Sequence, residues 1–142
     1  ARPGIAVVTP ITSSLAALDL FGAQRIAVLT PYVDDVNAGI ARYLEDHGKS
    51  ISAFSSFKIV ENEIMALVTP QSIFNAALEA DRNDADALFI SCTAIRAVEV
   101  IDKIEQKLGK PVITAVQAMF WQSLRFAGFN GKISGYVQLM CL

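Results

Sequence analysis

Few side chains in this chain suit nucleophilic or proton-transfer chemistry: two cysteines, one histidine and three tyrosines, besides the carboxylates. Cys92 follows the apolar run Ala87-Leu-Phe-Ile-Ser91 and precedes a stretch with helical periodicity. Backbone N–H groups at the start of a helix carry partial positive charge, which favours thiolate over thiol. The N–H groups of Thr93 and Ala94 would then offer a carboxylate or an oxyanion a place to bind. The alternative is a buried and inert sulfur, the commonest fate of a free cysteine, and position does not separate the two. Tyr32, in Thr30-Pro31-Tyr32 after another apolar run, either donates its phenolic O–H to a substrate carboxylate or packs as a loop aromatic. Asn62, between two glutamates, is either a ligand-binding amide or an ordinary turn asparagine. Ser91 and Thr93 either present hydroxyls or cap the following helix. Cys141 lies near the end of the chain, outside any element.

Several chemistries lack their residues. His47, the only histidine, falls in a helix's last turn before Gly48, where a cation suits the dipole. Ser-His-Asp and Cys-His mechanisms therefore have little support. Asp34 and Asp35 fit the first turn of a helix, and no further ligands stand at metal-binding spacing. No Gly-rich phosphate loop is present, so no nucleotide cofactor is expected. Cys92 and Cys141 form no C-x-x-C pair, which disfavours a thiol redox protein. They also form no disulfide framework, which points to a reducing, cytoplasmic setting. The 12 Lys and Arg are scattered through a chain of net charge −2, so nucleic acid is a poor partner.

The elements that must position these residues follow from the apolar pattern. Apolar residues make up 53% of the 142 and charged residues 18%, which excludes a disordered chain. No apolar run is long enough to cross a membrane. A mean hydropathy of +0.41 predicts surplus apolar surface, covered by a partner subunit or a further lobe. Strand-like runs fall at residues 5–8, 25–30, 51–60, 87–91 and 111–114. Helical spacing marks 11–21, 36–47, 70–78 and 95–108, and 116–127 is apolar nearly all round, as for a helix buried on more than one side. Residues 61–68 read as a mostly apolar loop. Alternation of continuous apolar strands with helices predicts an α/β fold: a flavodoxin-like, doubly wound parallel sheet of about four strands with helices on both faces. Residues 1–22 read as the tail of a preceding lobe with a joining helix, and 23–142 as the α/β lobe. With right-handed crossovers and strand order second, first, third, fourth, a crevice opens between the first and third strands. The residues just after each strand are the candidates (Tyr32, Asn62, Cys92 with Thr93, and Thr114 to Gln117), and the crevice would set Tyr32 and Cys92 on facing lips.

An ordered set of short motifs carries a family resemblance. Thr30-Pro31-Tyr32, Ser91-Cys92-Thr93, Leu108-Gly109-Lys110-Pro111-Val112, Phe120-Trp121 and Leu124-Arg125-Phe126-Ala127-Gly128 together resemble the aspartate/glutamate racemase superfamily. The resembling branch holds maleate isomerase, arylmalonate decarboxylase and the related ectoine-utilisation protein. The resemblance implies one lobe of a two-lobed, pseudosymmetric protein with a small dicarboxylate held between the lobes, and no metal or organic cofactor. Cys92 matches the second lobe's cysteine, which would move a proton at a carbon next to a carboxylate or add to a double bond. Tyr32 and the Thr93 backbone N–H would bind a substrate carboxylate, with Asn62 as a further substrate contact. The first lobe, with its own cysteine, would precede Ala1, and Cys141 does not fill its place. A homo-oligomer is expected. The competing reading is a non-enzymatic carboxylate-binding or regulatory module on the same scaffold.

Overall fold

Three short runs of β-branched and aliphatic residues and one serine-rich run become four parallel strands in the computed structural model, which describes residues 4, 6–133 and 137–142. They are β1 (Arg25–Thr30), β2 (Ser50–Ser56), β3 (Ala87–Ile90) and β4 (Val112–Thr114), in the order β2-β1-β3-β4. Side chains alternate across the pleat even where the sequence is apolar throughout. Ala27, Leu29, Leu88, Ile90 and Val112 point to one face; Ile26, Val28, Phe89 and Ile113 point to the other. Six helices cover both faces: α1 (Pro10–Leu20), α2 (Asp34–Asp46), α3 (Asn62–Ala66), α4 (Pro70–Ala80), α5 (Ile101–Leu108) and α6 (Ala115–Phe126). The first face packs under α4 and α5 through Ile73, Ala77, Ile101 and Ile104. The second packs under α1, α2 and α6 through Leu15, Leu18, Leu44 and Ala118.

Caps fix where helices begin. Thr9 and Thr69 each precede a proline, and their hydroxyls accept from the amides of Thr12 and Ser72. Thr114 and Gln117 form a reciprocal capping box, which turns the chain from β4 directly into α6. Gly109, at φ +67°, ends α5 in the left-handed conformation.

The structure departs from the sequence pattern in six places. Ile5 lies outside the described residues, and residues 6–9 join no strand. β2 stops at Ser56 rather than Val60, because its partner β1 ends at Thr30 and Pro31 follows. Lys58 then takes a left-handed φ of +54°. Residues 62–66 form α3 rather than a loop, anchored by the buried Met65. The stretch after Cys92 is irregular through Arg96, makes a 3-10 turn at Ala97–Glu99, and becomes helical only at Ile101. Ile95, Ile101 and Ile104 are buried as expected of a helical stripe, but Val98 is 57% exposed. The buried residues mimic a helical period that the backbone there does not have. Finally, α6 is not enclosed: Val116, Phe120 and Phe126 are exposed, since it packs on α1, β4 and the terminal 3-10 turn at Gln138–Cys141. Cys141 belongs to that turn rather than to unstructured chain.

One carboxylate ties the sheet to the chain's end. Glu105 of α5, 5% exposed, accepts from the amides of Val112 and Gln138, each at 3.0 Å. Burial pushes its carboxyl above the usual range, while the two amides pull the other way. Removing the acceptor strands two amides, so Glu105→Ala is expected to lose about 2–3 kcal/mol at pH 7. An acid with a raised folded pKa is more favourable to the fold in its protonated form. Lowering the pH from 7 toward the ordinary glutamate range should therefore shift the stability difference between wild type and Glu105→Gln in the wild type's favour. Urea unfolding of both proteins at pH 7 and pH 5 checks the sign.

Candidate active site

The site is built where the winding of the sheet reverses. From β1 the chain steps outward to β2, then returns past β1 to β3, so the connections after β1 and β3 part at the carboxyl ends of neighbouring strands. Tyr32 comes from the first connection and Cys92 from the second. The structure packs Tyr32 against the core cluster that contains Cys92, close enough for the phenol to feel that sulfur. Burial first, and then the neighbouring Cys92, drive the phenol well above the ordinary tyrosine range. Tyr32 is therefore a proton-bearing donor at any neutral pH.

Cys92 is 5% exposed and sits at the edge of the core beneath a cavity of about 230 Å³. Its sulfur accepts from the Ala94 amide at 3.2 Å. This corrects the source of the polarity expected from sequence. α5 starts at Ile101, so no helix dipole acts on Cys92; one amide of a tight local turn does. Thr93 is exposed and lines the same cavity. Among the described residues nothing accepts a hydrogen bond from its amide, which leaves it available to a ligand. Ser91 is buried, with its amide donated to Leu29 of β1 at 2.9 Å. Neither Ser91 nor Thr93 caps a helix, since no side chain caps α5 or the 3-10 turn before it.

Thr114, at the end of β4, closes the far wall with Val116 and Val98. Asn62 is not drawn in: it opens α3, exposed, and does not line this cavity. His47 stacks on Tyr43, and its Nδ1 lies 2.7 Å from the Tyr43 carbonyl at the end of α2, away from the crevice. No group of three His, Cys, Asp or Glu among the described residues could hold a metal ion.

Sequence reasoning missed Arg96, the only charged residue lining the cavity among the described residues. Its guanidinium is held by Glu99 through Nε at 2.7 Å and Nη2 at 3.1 Å. A lone cation four residues after the cysteine, in an otherwise apolar stretch, was the available signal.

The lobe thus carries Tyr32 and Cys92 on the two connections that part at its switch point, with the Thr93 amide open beside the cysteine. The sequence model of arylmalonate decarboxylase matches residues 1–140, and the chain belongs to that family. It is 31% identical over 139 residues to the arylmalonate decarboxylase of Bordetella bronchiseptica, covering 96% of this chain and 58% of that protein. It is 30% identical over 131 residues to the maleate isomerase of Nocardia farcinica, covering 92% of this chain and 51% of that protein. A solved structure of the Nocardia farcinica maleate cis–trans isomerase, carrying a covalently bound succinylcysteine intermediate, shares the fold. Its TM-score is 0.87 at 24% identity, over 91% of this chain and 53% of that one. The chain thus spans about half the length of the curated relatives it matches.

The raised phenol gives a pH-dependent test. Its proton is held more tightly folded than unfolded, so its contribution to stability is present below about pH 10 and lost above it. As the pH rises past 10, wild type should lose stability faster than Tyr32→Phe. Parallel denaturant titrations at pH 8 and pH 10.5 measure the difference. Equal slopes for the two proteins would mean the phenol is not in the environment described.

Proposed function

We propose that this chain is the cysteine-bearing lobe of a cofactor-independent enzyme acting at a carbon next to a carboxylate of a small dicarboxylate. The juxtaposition of Tyr32 and Cys92 beside the open Thr93 amide carries this reading. A proton next to a carboxylate is weakly acidic, because its removal places negative charge on the carboxylate oxygens. The Tyr32 hydroxyl and the Thr93 N–H are donors suited to hold that charge. Cys92 then has two roles open to it. As a thiol it returns a proton to the carbon left by racemisation or by loss of carbon dioxide. As a thiolate it adds to a carbon–carbon double bond, the neighbouring carbon becomes a carboxylate-stabilised carbanion, rotation follows, and elimination of the thiolate restores the double bond in the other geometry. The family match supports the first role, and the succinylcysteine intermediate of the Nocardia relative supports the second.

The site is open on one side. Val60, Ile64, Leu67, Val98, Val116 and Phe120 all follow the carboxyl ends of strands, and all are exposed. They offer an apolar surface to a second lobe or a second copy. The low exposure of Cys92 favours one competing reading, a carboxylate-binding module with a silent thiol.

In a polypeptide carrying both lobes, Cys92→Ala should lower turnover of maleate or a 2-substituted malonate by about a thousandfold or more. Unchanged turnover would remove Cys92 from the mechanism. The 142-residue chain alone should show little or no turnover; a rate matching a two-lobed relative would show that no second lobe is needed. For the binding module, Cys92→Ser should leave malonate affinity intact while no substrate of either class is converted.

A further inference from the structure

The turn that presents Tyr32 is held by a buried side chain to which neither the sequence pattern nor the site chemistry assigned a role. Asn37, in the first turns of α2, is 7% exposed. Its Oδ1 accepts from the Thr30 hydroxyl at 2.6 Å, and its Nδ2 donates to the Tyr32 carbonyl at 2.8 Å. The Thr30 hydroxyl in turn accepts from the Tyr32 amide at 3.2 Å. Both backbone groups of Tyr32 are thereby fixed, one directly by Asn37 and one through Thr30. A second donor, the Ser56 hydroxyl at the end of β2, reaches the same Tyr32 carbonyl and itself accepts from the Lys58 amide at 3.0 Å. That amide belongs to the residue with φ +54°, and one residue later the Ile59 amide donates to the Pro31 carbonyl at 2.7 Å. The Thr30–Tyr32 turn is therefore clamped from α2 on one side and from the β2 exit on the other.

Pro31 removes one backbone donor from this turn, so side chains must supply what a regular ladder would. Asparagine suits position 37 because one side chain must accept from Thr30 and donate to Tyr32 at the same time. An aspartate lacks the donor, and an aliphatic residue lacks both groups.

We infer that Asn37 is a positioning residue that acts through Tyr32, holding the phenol at the distance from which it meets the Cys92 sulfur and an incoming carboxylate. The inference rests on the reading of Tyr32 and Cys92 given above, and its test separates the two. The measurement is the rate of Cys92 alkylation by iodoacetamide at neutral pH, followed on the Cys92 peptide by mass spectrometry in the 142-residue chain. Tyr32→Phe removes the donor facing the sulfur and is expected to slow alkylation about tenfold. Asn37→Ala is expected to slow it about three- to tenfold, and the double variant no more than Tyr32→Phe alone. Asn37→Asp, nearly the same shape and able to accept from Thr30, keeps the test open if Asn37→Ala does not fold; it too should slow the reaction. Lys49→Met serves as the control. It removes a buried ammonium that donates to the Ala23 carbonyl at the opposite end of the sheet, and it should lower stability while leaving the Cys92 rate unchanged.

A purely structural Asn37 would behave differently, its effect adding fully to that of Tyr32→Phe or matching that of Lys49→Met. Either result overturns the inference while leaving the Tyr32–Cys92 reading in place. If Tyr32→Phe leaves the rate unchanged, or if Cys92 does not react in wild type, the reading of the site falls and the inference with it.

Discussion

β1 and β3 are neighbours in space although β2 lies between them in sequence, and the site depends on that pairing. Register between the two strands runs from Ile26 opposite Ala87 to Leu29 opposite Ile90. The ladder's last bond is the Ser91 amide to the Leu29 carbonyl. Beyond it β1 and β3 no longer bond to each other, and the chain leaves them in two directions. The first residues freed on each side are the ones that can face each other: Tyr32 after Thr30-Pro31, and Cys92 after Ser91. A one-residue slip in this ladder would turn Cys92 to the opposite side of the pleat. The packing that enforces the register, with Leu29, Leu88 and Ile90 on one face and Val28 and Phe89 on the other, therefore also sets the geometry of the site.

The burial of Cys92 and the exposure around it belong to one arrangement. A sulfur that must hold or release a proton on demand benefits from a dry setting, where each donor acts with more force than in water. Core residues exclude water from below, and Ala94 and Tyr32 supply the polar contacts. From above the chain provides only a shallow enclosure, with apolar side chains turned outward at its rim. The excess hydropathy of the sequence and this exposed rim are the same feature read at two levels.

Much of the framework was legible in the sequence. The runs at 25–30, 87–91 and 111–114 match β1, β3 and β4 to within one residue at each end, and the strand order followed from the handedness of crossovers. The region after Cys92 was misread for a definite reason. Ile95, Ala97, Val100, Ile101 and Ile104 are all buried, and residues that drop into one core at spacings of three and four look helical whether or not the backbone between them is. The same region set the polarity of the site, so an error in the element became an error in the cause: one amide replaces the expected helix terminus. Asn37 was illegible because its work is reciprocal hydrogen bonding to backbone and hydroxyl groups, which leaves no periodic trace. Arg96 was passed over because its charge is answered by Glu99 three residues away, a spacing that reads as an ordinary surface pair.

On the function proposed above, the placement of the polar groups sets what this lobe supplies. Tyr32, the Thr93 amide and the Ala94 amide lie on the two connections that flank the switch point, so all the donors reach the reacting centre from one side. A planar, carboxylate-stabilised carbanion has two faces. Donors gathered on one side can hold its oxygens and let Cys92 act on the nearer face, but the stereochemical outcome depends on what stands opposite. On the function proposed above, the residues of this chain set the carboxylate end of the chemistry and one direction of proton delivery. Whatever covers Val98, Val116 and Phe120 decides whether the other face meets a second acid, a hydrocarbon wall or water.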